Sequence, residues 1–200
     1  MSEIYITLAV EDPPSEAILH KILSQSERSY QVVNCLCRGG YGYLKKRIQA
    51  FNTAARSMPF LVLADLNSDL CPPQKIKSWL DVPQHPNLLV RIAVREVESW
   101  ILAHREAIAD FLGSSENKIP QDTDSIPDPK AFLIKLARKS RSRSLREDLV
   151  PQAGATSRVG PNYNNRIINF IQQTWNADAA RVHSYSLCRT LDRLRRFEPI

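Results

Sequence analysis

Glu11, Asp65, Glu96 and Glu98 stand out because they follow apolar, β-branched runs at Ile4–Val10, Phe60–Ala64 and Leu88–Val94. Glu16 and Asp69 lie a few residues beyond the first two of these runs. If the runs are parallel strands, the residues just after them gather at the carboxyl edge of one sheet, where open α/β folds keep their functional groups. Carboxylates gathered there offer the oxygen ligands that Mg²⁺ or Mn²⁺ prefers, and Mg²⁺ commonly takes one or two of them alongside water and substrate phosphate. A single acid after a strand is more often a turn residue or helix cap than a ligand. The shared placement of several is what points to metal-assisted chemistry.

Positioning these acids requires strands alternating with helices. Ile4–Val10 is followed by a helix over Ser15–Leu23, with Ser15 as its cap. A second strand over Gln31–Cys37 closes at Gly39-Gly40, and Leu44, Ile48, Phe51, Ala54 and Ala55 then recur at helical spacing. With Phe60–Ala64 and Leu88–Val94, the pattern predicts an α/β fold with a mainly parallel sheet flanked by helices. From Val97 the spacing is helical: Val97–Ala103, Ala107–Leu112, Pro129–Lys139, Pro161–Trp175 and Ser186–Phe197. Gly113–Pro129 is rich in Ser, Asn, Asp and Pro and reads as a loop or linker. The expected division is therefore an α/β core over residues 1–112, a loop over 113–129 and a mainly helical basic lobe over 130–200 packed on the core.

Length and composition suit a globular chain. The 200 residues are 43% hydrophobic and 24% charged, which excludes fibrous and disordered classes. No stretch approaches the roughly 20 apolar residues of a membrane span, so no membrane is expected as a partner and the cytoplasm is the expected location. Cys35, Cys37, Cys71 and Cys188 form no CxxC pair, and His20, His85, His104 and His183 lack ligand spacing. Linear spacing therefore argues against a zinc site and for reduced thiols.

The formal charge of +6 is unevenly placed. Residues 1–100 carry 11 Lys and Arg against 10 Asp and Glu, whereas residues 101–200 carry 16 against 11. Chemistry-bearing acids in the first half and basic excess in the second fit an enzyme that grips a polyanion. Residues 130–146 hold seven basic residues and no acid. With Phe132, Leu133, Leu136 and Ala137 facing the core, Arg138, Lys139, Arg141 and Arg143 are left for phosphate or solvent. The macrodipole accounts for basic residues at a helix end, but less well for the Arg-Ser-Arg-Ser continuation. Residues 37–46 could offer backbone N–H groups and a helix N-terminus to phosphate, with Lys45 and Lys46 beside them. A structural turn explains that stretch as well, and it is not a Walker A loop. Trp79, Trp100 and Trp175 fall in apolar helical patterns and are expected as core anchors.

Several short strings together resemble the Toprim family. Val10-Glu11-Asp12-Pro13-Pro14-Ser15-Glu16 is similar to the family's opening "VEG…SE", and Leu63-Ala64-Asp65-Leu66-Asn67-Ser68-Asp69 stands where the family has its Asp-x-Asp motif. Residues 95–103, REVESWILA, resemble the "E-x-W-L-L-A" helix start of small Toprim-like proteins of bacterial phage-defence loci. Gly160-Pro161-Asn162-Tyr163 and the segment 184–187 resemble their closing parts. The resemblance implies a Toprim-like sheet and a metal-dependent nuclease related to the OLD-family enzymes, with Mg²⁺ or Mn²⁺ as cofactor. Glu11 would be a metal ligand or general acid/base, Asp65 and Asp69 would hold the metal, and Glu98 would complete or orient the cluster; Glu16 and Asn67 would be further ligands. Two departures matter. Asp12 replaces the family's glycine and Asn67 replaces its second Asp, so a degenerate, non-catalytic module that binds nucleic acid or a partner is the alternative. The resemblance also implies an ABC-class ATPase partner, since this chain has no Walker motif of its own.

Overall fold

The computed structural model describes residues 3–37 and 40–200, without the Tyr41 side chain. Four strands, β1 (Ile4–Val10), β2 (Tyr30–Cys37), β3 (Phe60–Asp65) and β4 (Leu88–Ala93), form one parallel sheet in the order β2-β1-β3-β4. Between them run α1 (Pro13–Ser24), α2 (Gly40–Ala54) and α3 (Pro72–Trp79). After β4 come α4 (Val97–Ala103), α5 (Arg105–Leu112), α6 (Pro129–Ala137), α7 (Arg143–Leu149), α8 (Tyr163–Gln173), α9 (Ala177–Ala180) and α10 (Tyr185–Arg195). The expected α/β class is therefore the observed one, an all-parallel sheet flanked by helices.

Strand alternation explains the layers. Ile4, Ile6, Leu8, Val10, Leu61 and Leu63 point to a face covered by α1 and the helices from α4 onward. Ala9, Val62, Ala64, Val90 and Ile92 point to the other face, where Leu44, Ile48 and Phe51 of α2 and Trp79 of α3 cover them. The helices beyond residue 130 thus share one continuous core with β1 and α1. Trp100 and Trp175 sit in it, fully buried, and the Trp175 indole donates to the Trp100 carbonyl at 3.0 Å.

Some local expectations are corrected. Helix α1 begins at Pro13, and its cap is Asp12, which accepts from the Ser15 N–H at 2.9 Å; Ser15 lies inside the helix. Pro13 and Pro14 fit the first turn because its N–H groups have no helical partner. The basic run continues past α6 into a separate helix, α7, capped by Ser142. Residues 113–128 form a loop containing two 3₁₀ turns, and it is tied down. Arg105 pairs with Glu116 at 2.7 Å, and Asp124 accepts from the Ser184 hydroxyl and the Ser186 N–H at 2.7 Å each. Among the described residues, no helix is long and apolar enough to cross a membrane.

Candidate functional site

Glu11 follows β1 and Asp65 ends β3, and these two strands are paired neighbours. Both acids therefore emerge at the same carboxyl edge. Glu11 Oε1 accepts from the Asp65 N–H at 3.1 Å, and Asp65 Oδ1 accepts from the Val97 N–H at 2.9 Å. Asp65 thus caps the start of α4, whose first turn carries Glu98 inward to complete burial. Glu96, at the N-cap of α4, accepts from the Lys130 N–H at 3.0 Å and so holds the start of α6 against the cluster.

That placement brings Lys130 onto Glu98, with Nζ 3.3 Å from Oε1. The same Oε1 accepts from the Tyr163 hydroxyl at 3.0 Å. Tyr163 is delivered by a close approach: Gly160 donates its N–H to the Leu149 carbonyl at 2.9 Å, and a Cβ there would overlap the backbone of Asp148–Val150. Only glycine lets α8 begin where it does. The second oxygen of Glu98 is buried without a hydrogen-bond partner.

The electrostatics follow from burial of like charges. Burial, then Glu98, Glu11 and Asp12, hold the Asp65 carboxyl well above the usual carboxylate range, against the pull of Lys130. Burial raises Glu11 as well, while the Asp65 N–H and Lys75 act to lower it. Glu98 is pushed up to about 7, first by burial, which outweighs Lys130, with Asp12 and Glu96 adding to the rise. Burial acts to lower Lys130, but Glu98, Asp12, Glu96 and Asp65 outweigh it, so the ammonium is held charged. Tyr163 is raised well above its ordinary value by burial and by Glu98 and remains a donor.

The structure therefore brings together Glu11, Asp65 and Glu98, with Asp12 and Glu96 alongside. It places other expected ligands elsewhere. Asp69 pairs with the buried Lys75, with Oδ2 2.7 Å from Nζ. Asn67 is exposed and left-handed, with φ of 54°, and its carbonyl accepts from Arg95 at 3.1 Å. Asn tolerates that conformation better than most side chains, which gives the departure from Asp-x-Asp a conformational reason. Glu16 lies against β2, 3.9 Å from His20. Arg138, Lys139, Arg141 and Arg143 are exposed, as are Lys45 and Lys46; Arg143 pairs with Glu147 at 2.7 Å. The phosphate cradle considered over residues 37–46 falls partly outside the described residues, at Arg38 and Gly39.

Local spacing in the sequence does not single out Lys130 or Tyr163. Lys130 carried a signal: a cation in the first turn of a helix opposes the macrodipole unless an acid meets it. Tyr163 carried none beyond its place in the Gly160–Tyr163 string. No family model, no curated protein and no solved structure matches the chain.

Proposed function

We propose that the carboxylates at the carboxyl edge hold Mg²⁺ or Mn²⁺ and that the protein is a metal-dependent phosphodiesterase acting on nucleic acid, a Toprim-type nuclease. The observation that carries the reading is the convergence of Glu11 and Asp65, on adjacent strand ends, with Glu98 from the first turn of α4. Five acids surround Lys130, counting Asp12 and Glu96, so negative charge is in excess where burial makes it costly. The donor set is all oxygen, the kind a hard cation selects, and the orphaned Glu98 oxygen fits a missing ligand. Glu11 and Asp65 would hold the ion, and Glu98 would orient or complete the set.

When bound, such an ion activates water and neutralises charge developing on a phosphoryl oxygen. The chain's own residues do the rest. Glu11, where Asp65 holds the ion, can accept a proton from an attacking water. Lys130 fixes Glu98 and puts a permanent positive charge beside the reacting phosphate. Eight residues along α6, at 1.5 Å each, separate Lys130 from Arg138 by about 12 Å, roughly three or four base steps. The exposed basic residues could thus grip the strand on which the acids act. An ABC-class ATPase partner and a role in phage defence are part of the same proposal and rest on the resemblance.

The second reading, a non-catalytic module, is favoured by one observation: Asp69 is bound to Lys75 and Asn67 faces solvent, so the Asp-x-Asp region supplies one inward carboxylate. Incubation of the chain with single- and double-stranded DNA and RNA, with Mn²⁺ or with chelator, separates the two. Cation-dependent cleavage lost in folded Glu11→Gln and Asp65→Asn variants supports the nuclease; binding without cleavage supports the module.

A further inference from the structure

Between α1 and the edge strand β2, a side-chain set of different chemistry comes together. Glu16 and His20 are one helical turn apart, with Oε1 and Nε2 separated by 3.9 Å. They face Cys35 of β2, and one ligand atom from each of Glu16, His20 and Cys35 lies within 4.8 Å of the other two. Among the described residues this is the one trio of His, Cys, Asp or Glu that meets so closely. Cys37 packs on the same side of the sheet as Cys35, and burial first, then Glu16, raise both thiols, so a bound cation has to displace their protons.

An irregularity in β2 produces the arrangement. Ile6 pairs with Val32, but Thr7 pairs with Asn34, so Val33 is an extra residue in the ladder. Strict alternation would follow Tyr30 and Val32 with Asn34 and Leu36 on the α1 face. The bulge shifts the phase, and Cys35 and Cys37 follow them instead, while Leu36 packs on the opposite core. Linear spacing hides the set because two donors come from a helix and two from a strand.

We infer that Glu16, His20, Cys35 and Cys37 form a binding site for a thiophilic divalent cation of the zinc type, separate from the carboxylate cluster. Thiolate, imidazole and carboxylate are the donors Zn²⁺ takes, and four of them fill its tetrahedral shell. Thiolates select against Mg²⁺. Bonds of roughly 2.0–2.3 Å require donors about 3.3–3.8 Å apart, so the Glu16, His20 and Cys35 trio must contract by about 1 Å and Cys37 must be drawn in to complete the shell. The two helical donors can move, since the His20 and Glu16 side chains are 48% and 36% exposed. Binding is a ligation in which each thiol loses its proton to solvent, so uptake releases protons. The closed shell would pin edge strand β2 to α1, a structural role.

The test uses the full chain stripped with chelator. Zn²⁺ is titrated in competition with a chromophoric chelator, and Co²⁺ is followed by its visible and thiolate charge-transfer absorption. The expected result is a single tight site with a tetrahedral, thiolate-bearing Co²⁺ spectrum. Cys35→Ser and His20→Ala should weaken it by at least the roughly 10- to 100-fold that loss of a mere outer-shell partner costs, and Glu11→Gln should leave it unchanged. Should a variant misfold, zinc-edge X-ray absorption of the wild-type chain still reports whether sulfur is in the shell. A Co²⁺ spectrum without thiolate bands, a zinc shell without sulfur, affinity indifferent to Cys35→Ser, or loss in Glu11→Gln would each overturn the inference.

Discussion

The acidic carboxyl edge and the basic stretch from Arg138 to Arg143 carry opposite charge and are built in opposite ways. The acids are buried and cross-linked: Glu11 to Asp65, Asp65 to the start of α4, Glu98 to Lys130 and Tyr163. The bases are exposed, and Arg143 pairs with Glu147, one turn along the same exposed helix. Exposed charges cost little and mean little individually, because water and salt screen them. Buried like charges oppose folding, and their retention calls for a counter-charge that the chain supplies only in part. The acidic edge is therefore the stronger indicator of function, and the basic stretch gains meaning from lying one helix length away.

The largest predicted contrast is in stability. Lys130→Met should leave Glu98 uncompensated in the core and cost about 3–5 kcal/mol, whereas Arg138→Ser should stay within about 0.5 kcal/mol. Denaturant unfolding of the two variants measures both. Similar small losses would mean that the two regions do not differ in kind.

Next in size is a dependence on pH. Burial pushes Glu98 up to about 7 in the folded chain against an ordinary 4.5. A raised carboxylate binds its proton more tightly when folded, so its favourable contribution is complete below about pH 4.5 and is lost as pH rises toward about 7, amounting to about 3 kcal/mol. Asp65 and Glu11 shift in the same direction. Thermal unfolding followed across this range should show stability declining with pH, and Glu98→Gln should flatten the decline. An unchanged slope in Glu98→Gln would remove Glu98 from the account.

Smaller effects sharpen the comparison. Replacing Arg138, Lys139, Arg141 and Arg143 together by Ser should weaken nucleic-acid binding and reduce the slope of log affinity against log salt by up to about 3–4, the number of counterions no longer released. An unaltered slope would return the stretch to an ordinary solvated surface. Smallest of all should be Asn67→Asp. Because Asn67 is exposed in a left-handed turn, cation affinity should change less than about twofold, within roughly 0.4 kcal/mol; a tenfold gain would show that this residue faces the ion after all.

What the sequence reveals about this molecule is what periodicity can encode. The bounds of β1 and α4 are readable from their apolar runs, and Glu11, Asp65 and Glu98 are readable because they follow strands or open a helix. The Asp12 cap is hidden by a capable Ser three residues on, inside a first turn that Pro13 and Pro14 already satisfy. Lys130 and Tyr163 reach the site through helix packing across a shared core, a long-range matter that local spacing does not express. Asp69 was expected inward because nothing in its own segment shows that Lys75 will claim it.

The most direct test of the central claim is calorimetric titration of the wild-type, Asp65→Asn and Cys35→Ser chains with Mg²⁺, which thiolates do not favour. Saturable binding in the wild-type and Cys35→Ser chains that is lost in folded Asp65→Asn is the predicted result. Binding absent from the wild-type chain, or undiminished in Asp65→Asn, would contradict a cation site at the carboxyl edge.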